Sequence, residues 1–359
     1  MLTINYGKDY VKTTYDTLTV SDIKLYLKKD YSVSIKPNLV VERPASGGAT
    51  THPEVIEGIV LFLKDNKIKN IKIIENSACG HDTKKAYRAC GYETLNKKYG
   101  VMLVDLKDDV FISLEYENIN YQISKTALNS DFLINVPVLK AHCQTKMTCC
   151  MKNLKGCMPQ SEMRRFHVLG LNKPIAGLNF LLKTHYCVVD GICGDLSFEE
   201  GGTPVEANRI IAGQNPLLVD SYCAQLIGYN PDDIGYLSYG KKIGIGEYFS
   251  EKTKIEELNA EQKPLYQIKS SSIADKYRSF IEEDSACSVC YAALIFALHR
   301  KGVYKQGKKI CIGQGFKGKS AVKAECGDCL GIGNCTKAFK KFVAGCPPKA
   351  LDILAMLEG

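Results

Sequence analysis

Apolar positions along the first 230 residues alternate between two spacings. Short apolar runs bounded by polar turns alternate with stretches whose apolar residues recur every three or four positions. Ser32-Val33-Ser34-Ile35 reads as a strand that ends in Lys36-Pro37-Asn38. Thr51-His52-Pro53-Glu54 follows as a helix start, with Thr51 as the capping hydroxyl, an early proline and an acid in the first turn. Val55, Ile56, Ile59, Val60 and Phe62 then form one helical stripe, and Asn70 to Glu75 returns to a strand. A strand–helix–strand unit of this length implies parallel pairing.

The same alternation predicts a helix over 83–98 and strands over Val101–Val104, Phe132–Val136, Tyr186–Asp190 and Arg209–Gly213. A further helix over 217–227 is closed by Gly228. The expected fold class is therefore α/β, a mostly parallel sheet flanked by helices. Residues 1–275 make this domain, and the more polar stretch 240–275 reads as an insertion and linker. Residues 276–359 form a small cysteine-rich module with helices over 291–300 and 350–357.

The 359 residues suffice for two such units. No apolar run approaches the roughly 18 residues that a membrane span needs. The N-terminus has no basic start followed by an apolar run, so a cytoplasmic location is expected. Sixteen cysteines then read as reduced thiols for metal binding or catalysis rather than as a disulfide framework. Cys90, Cys223 and Cys311 fit as small buried hydrophobes. The net charge of +8 is concentrated in two zones. Residues 276–359 carry 14 Lys+Arg against 7 Asp+Glu, and residues 140–185 carry 8 against 1. The first excess can offset an anionic metal centre; the second suggests an anionic ligand.

Cys287-x2-Cys290, Cys335 and Cys346-Pro347 supply four thiolates with proline directly after the last, the usual close of a ferredoxin ligand run. An iron–sulfur cluster of the [4Fe-4S] type is the expectation, with one cluster and room for a second. A helix beginning near Cys290 would aim its backbone donors at the cluster, and Gly313, Gly315, Gly331 and Gly333 would allow close backbone approach. Cys326-x2-Cys329 is an alternate source of ligands. Tetrathiolate zinc on the two Cys-x2-Cys pairs is the rival reading, although it leaves Cys346-Pro347 without a use.

Ligands of open α/β sheets sit beyond the C-terminal ends of the strands. Four polar loops fall there: Lys36–Asn38, Glu75–Asp82, Lys140–Lys146 and Asp190–Asp195. In the basic segment that follows, four-residue helical spacing pairs Thr148 with Lys152 and Cys149 with Asn153. Lys140, His142, Lys152, Asn153, Arg164, Arg165 and His167 gather donors suited to carboxylate or phosphate. Asp190 or Glu200 could orient a base or a metal, and Cys143 or Cys157 could act as a thiol or proton donor. Cys79, Cys143, Cys149, Cys150, Cys157, Cys187 and Cys193 match no cluster run but could bind a second metal or supply a reactive thiol. The chain has neither a phosphate-binding G-x-x-x-x-G-K-[ST] loop nor a dinucleotide fingerprint, and no nucleic-acid recognition pattern.

Lys36-Pro37-Asn38, Val136-Pro137-x-x-Lys140-x-His142, Lys152-Asn153-Leu154-x-Gly156, Val189-Asp190-Gly191, Glu200-Gly201-Gly202-Thr203-Pro204 and Leu218-Val219-Asp220 together resemble the prokaryotic family catalogued as domain of unknown function 362. The resemblance spans residues from about 30 to 240, and the tail is similar to its variant with a ferredoxin-like segment. It implies an α/β fold, an iron–sulfur protein and an anaerobic, cytoplasmic setting, and it implies no particular reaction.

The combined expectation is a reductase that passes electrons from its cluster to an anionic small molecule on the α/β domain. A ferredoxin or flavodoxin could serve as electron donor. The alternatives are an electron carrier without catalysis and a non-redox enzyme with a structural cluster or zinc. The residues leave open whether a flavin or second metal binds.

Overall fold

The computed structural model describes residues 1–197, 201–264, 273–302, 308–319 and 329–358. In chain order its strands are β1 (Leu2–Tyr6), β2 (Ser32–Pro37), β3 (Asn70–Glu75), β4 (Met102–Asp105), β5 (Phe111–Tyr116), β6 (Ile119–Ser124), β7 (Phe132–Val136), β8 (Lys140–His142), β9 (Lys146–Thr148), β10 (Tyr186–Asp195), β11 (Pro204–Gly213) and β12 (Ile255–Leu258). The tail adds β13 (Ile281–Glu283), β14 (Ile310–Ile312), β15 (Leu330–Ile332) and β16 (Phe342–Val343).

The main sheet runs β12-β1-β11-β10-β7-β2-β3-β4, and every strand but β11 points the same way. Its central strands are buried on both sides, as a sheet covered by helices on both faces requires. The two-residue period of a strand divides these side chains between two cores. Cys187, Val189 and Ile211 point into one; Tyr186, Val188 and Ile210 point into the other.

Helices α1 (Tyr10–Val20) and α2 (Pro53–Asp65) cover the second face. Short helices α3 (Thr83–Ala89) and α4 (Glu93–Tyr99) replace the single helix expected over 83–98. Gly91 breaks it with φ +81°, a conformation that interrupts helical hydrogen bonding. After α5 (Lys125–Leu128), helices α6 (Cys150–Asn153), α7 (Gln160–Leu169), α8 (Asn172–Leu181), α9 (Pro216–Leu226) and α10 (Gly235–Lys242) gather around the first core. Within the stretch read as an insertion and linker, β12 pairs in parallel with β1 and forms one edge of this sheet.

The tail carries its own parallel sheet, β13-β14-β15-β16, covered by α11 (Ser288–Lys301) and α12 (Ala350–Glu358). It is joined to the α/β domain. Gln144 donates to Glu283 and to the Ala286 carbonyl and accepts from the Ser288 hydroxyl, and Cys143 packs into the tail's core.

Candidate functional site

A cavity of about 190 Å³ opens at the C-terminal ends of β2 and β3, where three of the four expected loops converge. Its floor is an ion pair. Lys36 Nζ lies 2.7 Å from Glu75 Oε1, with the two side chains 1% and 3% exposed. Burial pushes the Glu75 carboxyl up, against the pull of Lys36 and of the Leu39 and Asn76 N–H groups. Asn153 ties this floor to the neighbouring helix by donating to the Lys36 and Pro37 carbonyls and to Asn135 Oδ1. Gly156 has to be glycine: a Cβ there would stand 2.6 Å from Lys36 Nζ and closer still to the Glu75 carboxylate.

Lys140, Lys152 and Lys155 line the cavity together with His142 and His167. Four lysines against one glutamate make the lining cationic and suited to an anion. Lys152 donates to Thr148 Oγ1 at 3.1 Å, although Thr148 ends β9 and stands before α6 rather than on it, and Lys140 donates to the Ala49 carbonyl.

The two histidines are engaged through different nitrogens. His142 Nδ1 accepts from the Gln144 and Thr145 N–H groups at 3.1 and 3.2 Å, so the ring proton belongs on Nε2. Burial and the neighbouring Lys152 and Lys155 hold His142 far below its ordinary value, so it is neutral. Burial likewise pushes His167 down to about 2, with Lys155 and Lys152 adding to the effect. Its Nδ1 is buried without a hydrogen-bond partner. His142 therefore carries its proton on Nε2, and His167, bonded to the Ala286 backbone through its other nitrogen, keeps Nδ1 unprotonated.

Ser288 and Val289, at the start of α11, form another part of the cavity wall, and they lie between Cys287 and Cys290. Cys287 is the N-cap residue of that helix. Its thiol is pulled down to about 6 by a hydrogen bond from Cys290, aided by Gln314, whose Nε2 donates to the sulfur at 3.5 Å. Cys290 lies in the field of Cys335 and Cys346, and Cys335 in that of Cys287 and Cys346. Cys335 and Cys346 thus lie near enough to act on the Cys287–Cys290 pair through charge, and each follows the C-terminal end of a tail strand. Lys317 beside Cys287 and Cys335 offsets negative charge there. Cys329 points elsewhere and packs with Cys311, Phe316 and Phe339. Cys326 lies outside the described residues. From the α/β side, the Arg164 guanidinium hydrogen-bonds the Cys79 sulfur and sits in the field of Cys287 and Cys346.

The family described as Domain of unknown function (DUF362) matches residues 33–225, more than half of the chain. This protein belongs to the DUF362 family. A curated relative, a thylakoid-associated protein of Synechocystis sp., is 22% identical over 240 residues, covering 64% of this chain and 73% of its own. The lactate racemase apoprotein of Thermoanaerobacterium thermosaccharolyticum superposes with a TM-score of 0.43 at 12% identity. A structural-genomics protein of Thermotoga maritima gives 0.41, also at 12%. This DUF362 chain covers 62% and 66% of itself in those superpositions and spans 56% and 60% of the two proteins. No helix among its described residues is long and apolar enough to cross a membrane.

Five expected residues of this family member therefore share the cavity: Lys140, His142, Lys152, Asn153 and His167. Asp190 does not line it. Its Oδ2 lies 2.8 Å from His52 Nδ1 and accepts the His52 backbone N–H as well. Cys143, held in the tail's core, and Cys157, whose thiol burial pushes up to about 12, are not placed as reactive thiols. Glu199 and Glu200 lie outside the described residues. Thr51 does not cap α2: it accepts from the Asn38 N–H and donates to the Val136 carbonyl, holding two strand ends together. Sequence reasoning did not single out Lys155, His81 or the Lys36–Glu75 pair as functional, although two of the expected loops contain three of these four residues.

Proposed function

We propose that this protein is an iron–sulfur oxidoreductase, in which a [4Fe-4S] cluster on Cys287, Cys290, Cys335 and Cys346 serves an anionic small molecule in the lysine-lined cavity. The observation that carries this reading is the shared wall: Ser288 and Val289, which separate two of the thiols in sequence, also line the cavity. When bound, such a cluster takes up and gives back single electrons. Lys140, Lys152 and Lys155 would hold the anion, a carboxylate or phosphate, and the buried floor would strengthen that attraction. His142 Nε2–H would donate a hydrogen bond to the bound ligand as a neutral imidazole, and His167 Nδ1 would accept one. Gln314 would donate to the Cys287 sulfur, while Lys317 and Arg164 offset negative charge around it. Cys346 and the nearby Lys337, Lys340, Lys341 and Lys349 are exposed, which suits docking of an acidic carrier such as a ferredoxin or flavodoxin.

The opposite proton polarity of the two histidines also favours a second reading, a non-redox proton transfer beside a structural cluster.

Anaerobic protein reduced with dithionite and mixed with a panel of small carboxylates and phosphates tests both. The redox reading expects an anion-dependent return of absorbance near 400 nm, with about four irons per chain. It also expects His142→Ala to slow that return with the iron content unchanged. Turnover of an anion at equal rates with oxidised and reduced protein would replace it with the second reading.

A further inference from the structure

Beneath the cavity, in the core of the α/β domain, lies a group of side chains that the redox reading leaves unused. Cys149 and Cys150 sit where β9 runs into α6, Cys187 lies on β10, and Asp220 and Cys223 lie on α9. All five are at 0% exposure. The three-residue spacing of Asp220 and Cys223 puts both on one face of α9. The ligand atoms of Cys149, Cys150 and Asp220 all lie within 4.8 Å of one another, and the first two sulfurs are 3.9 Å apart. Cys223 lies beside Cys149, and Cys187 beside Cys150.

We infer that Cys149, Cys150, Asp220 and Cys223 form a buried site for one zinc ion. Two thiolates about 2.3 Å from a tetrahedral zinc stand about 3.8 Å apart, close to the separation of Cys149 and Cys150. Charge points the same way. Asp220 accepts the Cys150 and Met151 N–H groups at 2.7 and 2.9 Å but makes no ion pair among the described residues. A carboxylate sealed in a core without a cation is costly, and a divalent ion coordinated by thiolates and that carboxylate removes the imbalance. Three donors stand together already, and Cys223, beside Cys149, would close in as the fourth to give the soft tetrahedral set of a structural zinc site. Because all of these side chains are fully buried, the metal would enter as the chain folds. Cys187 would sit beside Cys150 as a hydrogen-bond partner rather than a ligand.

The test separates this site from the tail by replacing Cys287, Cys290, Cys335 and Cys346 together with serine in the full chain. The expected result is about one zinc per chain by elemental analysis. Growth with cobalt should give a charge-transfer band near about 350 nm, as thiolate ligation requires. Adding Cys149→Ser and Cys223→Ser should lower the bound metal at least tenfold. A four-serine variant with a native circular dichroism spectrum and no metal would overturn the inference, as would metal retained after those two further substitutions. If either variant fails to fold, zinc-edge absorption of the wild-type protein decides. A first shell of sulfur with an oxygen supports the site; four sulfurs, or no zinc, overturns it.

Discussion

Lys36 and Glu75 meet at 2.7 Å behind the cavity, and Gly156 leaves just the room that the pair occupies. Removing one partner of such a buried pair strands the other. Glu75→Gln should lower the unfolding free energy by about 3–5 kcal/mol. Gly156→Ala, which pushes a methyl group into the same space, should lower it by about 1–3 kcal/mol. Urea denaturation checks both. A Glu75→Gln variant as stable as the wild type would mean that the pair is no support of the fold.

Lys152 and His142 should affect ligand handling differently. Lys152→Met removes a charge that holds the anion and should raise KM at least tenfold. His142→Ala removes the Nε2–H hydrogen-bond donor and should lower kcat by about 10²–10³-fold. Steady-state kinetics with the anion found in the dithionite screen would show the split, and equal effects of both variants on KM alone would remove His142 from transition-state stabilisation.

Cys335 and Cys329 lie six residues apart but face different surroundings. Cys335→Ser should lose most of the iron and of the absorbance near 400 nm. Cys329→Ser should keep both. Iron retained by the first variant and lost by the second would reverse the ligand assignment.

The histidines give the stability two opposite pH slopes. Burial opposes protonation of His52, but the Asp190 carboxylate 2.8 Å away raises its pKa above the ordinary value of about 6.5. That contribution is complete below about pH 6.5 and is lost as pH rises through the higher folded value. His142 and His167 are held low, so they remain neutral when folded while the unfolded chain takes up protons. Their contribution is present above about pH 6.5 and is lost as pH falls. Melting temperatures between pH 5 and 8.5 should peak near neutrality. His52→Gln should flatten the alkaline side, and His167→Gln the acid side. Because Asp190 lies off the cavity, Asp190→Asn should weaken the fold and leave kcat near the wild-type value.

Much of the cavity was legible because its parts are local. A strand that ends in Lys36-Pro37-Asn38 and a Thr148/Lys152 pair at helical spacing announce donors at a sheet edge within a few residues. Asp190 misled for the same reason: it also ends a strong apolar strand, yet across the sheet it meets the start of α2 and not the cavity. The tail strands β13, β14, β15 and β16 are two or three residues long, too short for any period to show. Residues 240–275 looked polar and weakly periodic because β12 is an edge strand whose outer side faces solvent.

By itself, then, the sequence determined the α/β class, the parallel run of the main sheet, a soft-ligand tail and a basic ligand edge. Each of these follows from residue type and short-range spacing, which the backbone period converts directly into a face or a loop. Tertiary structure decided which of those groups meet. It placed Ser288 and Val289 in the cavity wall, sent Cys143 and Asp190 elsewhere, and packed Cys149, Cys150, Cys187, Asp220 and Cys223 into one buried group. Such meetings join residues from about 30 to 250 positions apart. They are settled by how sheet and helices bury their apolar faces, which no local spacing encodes.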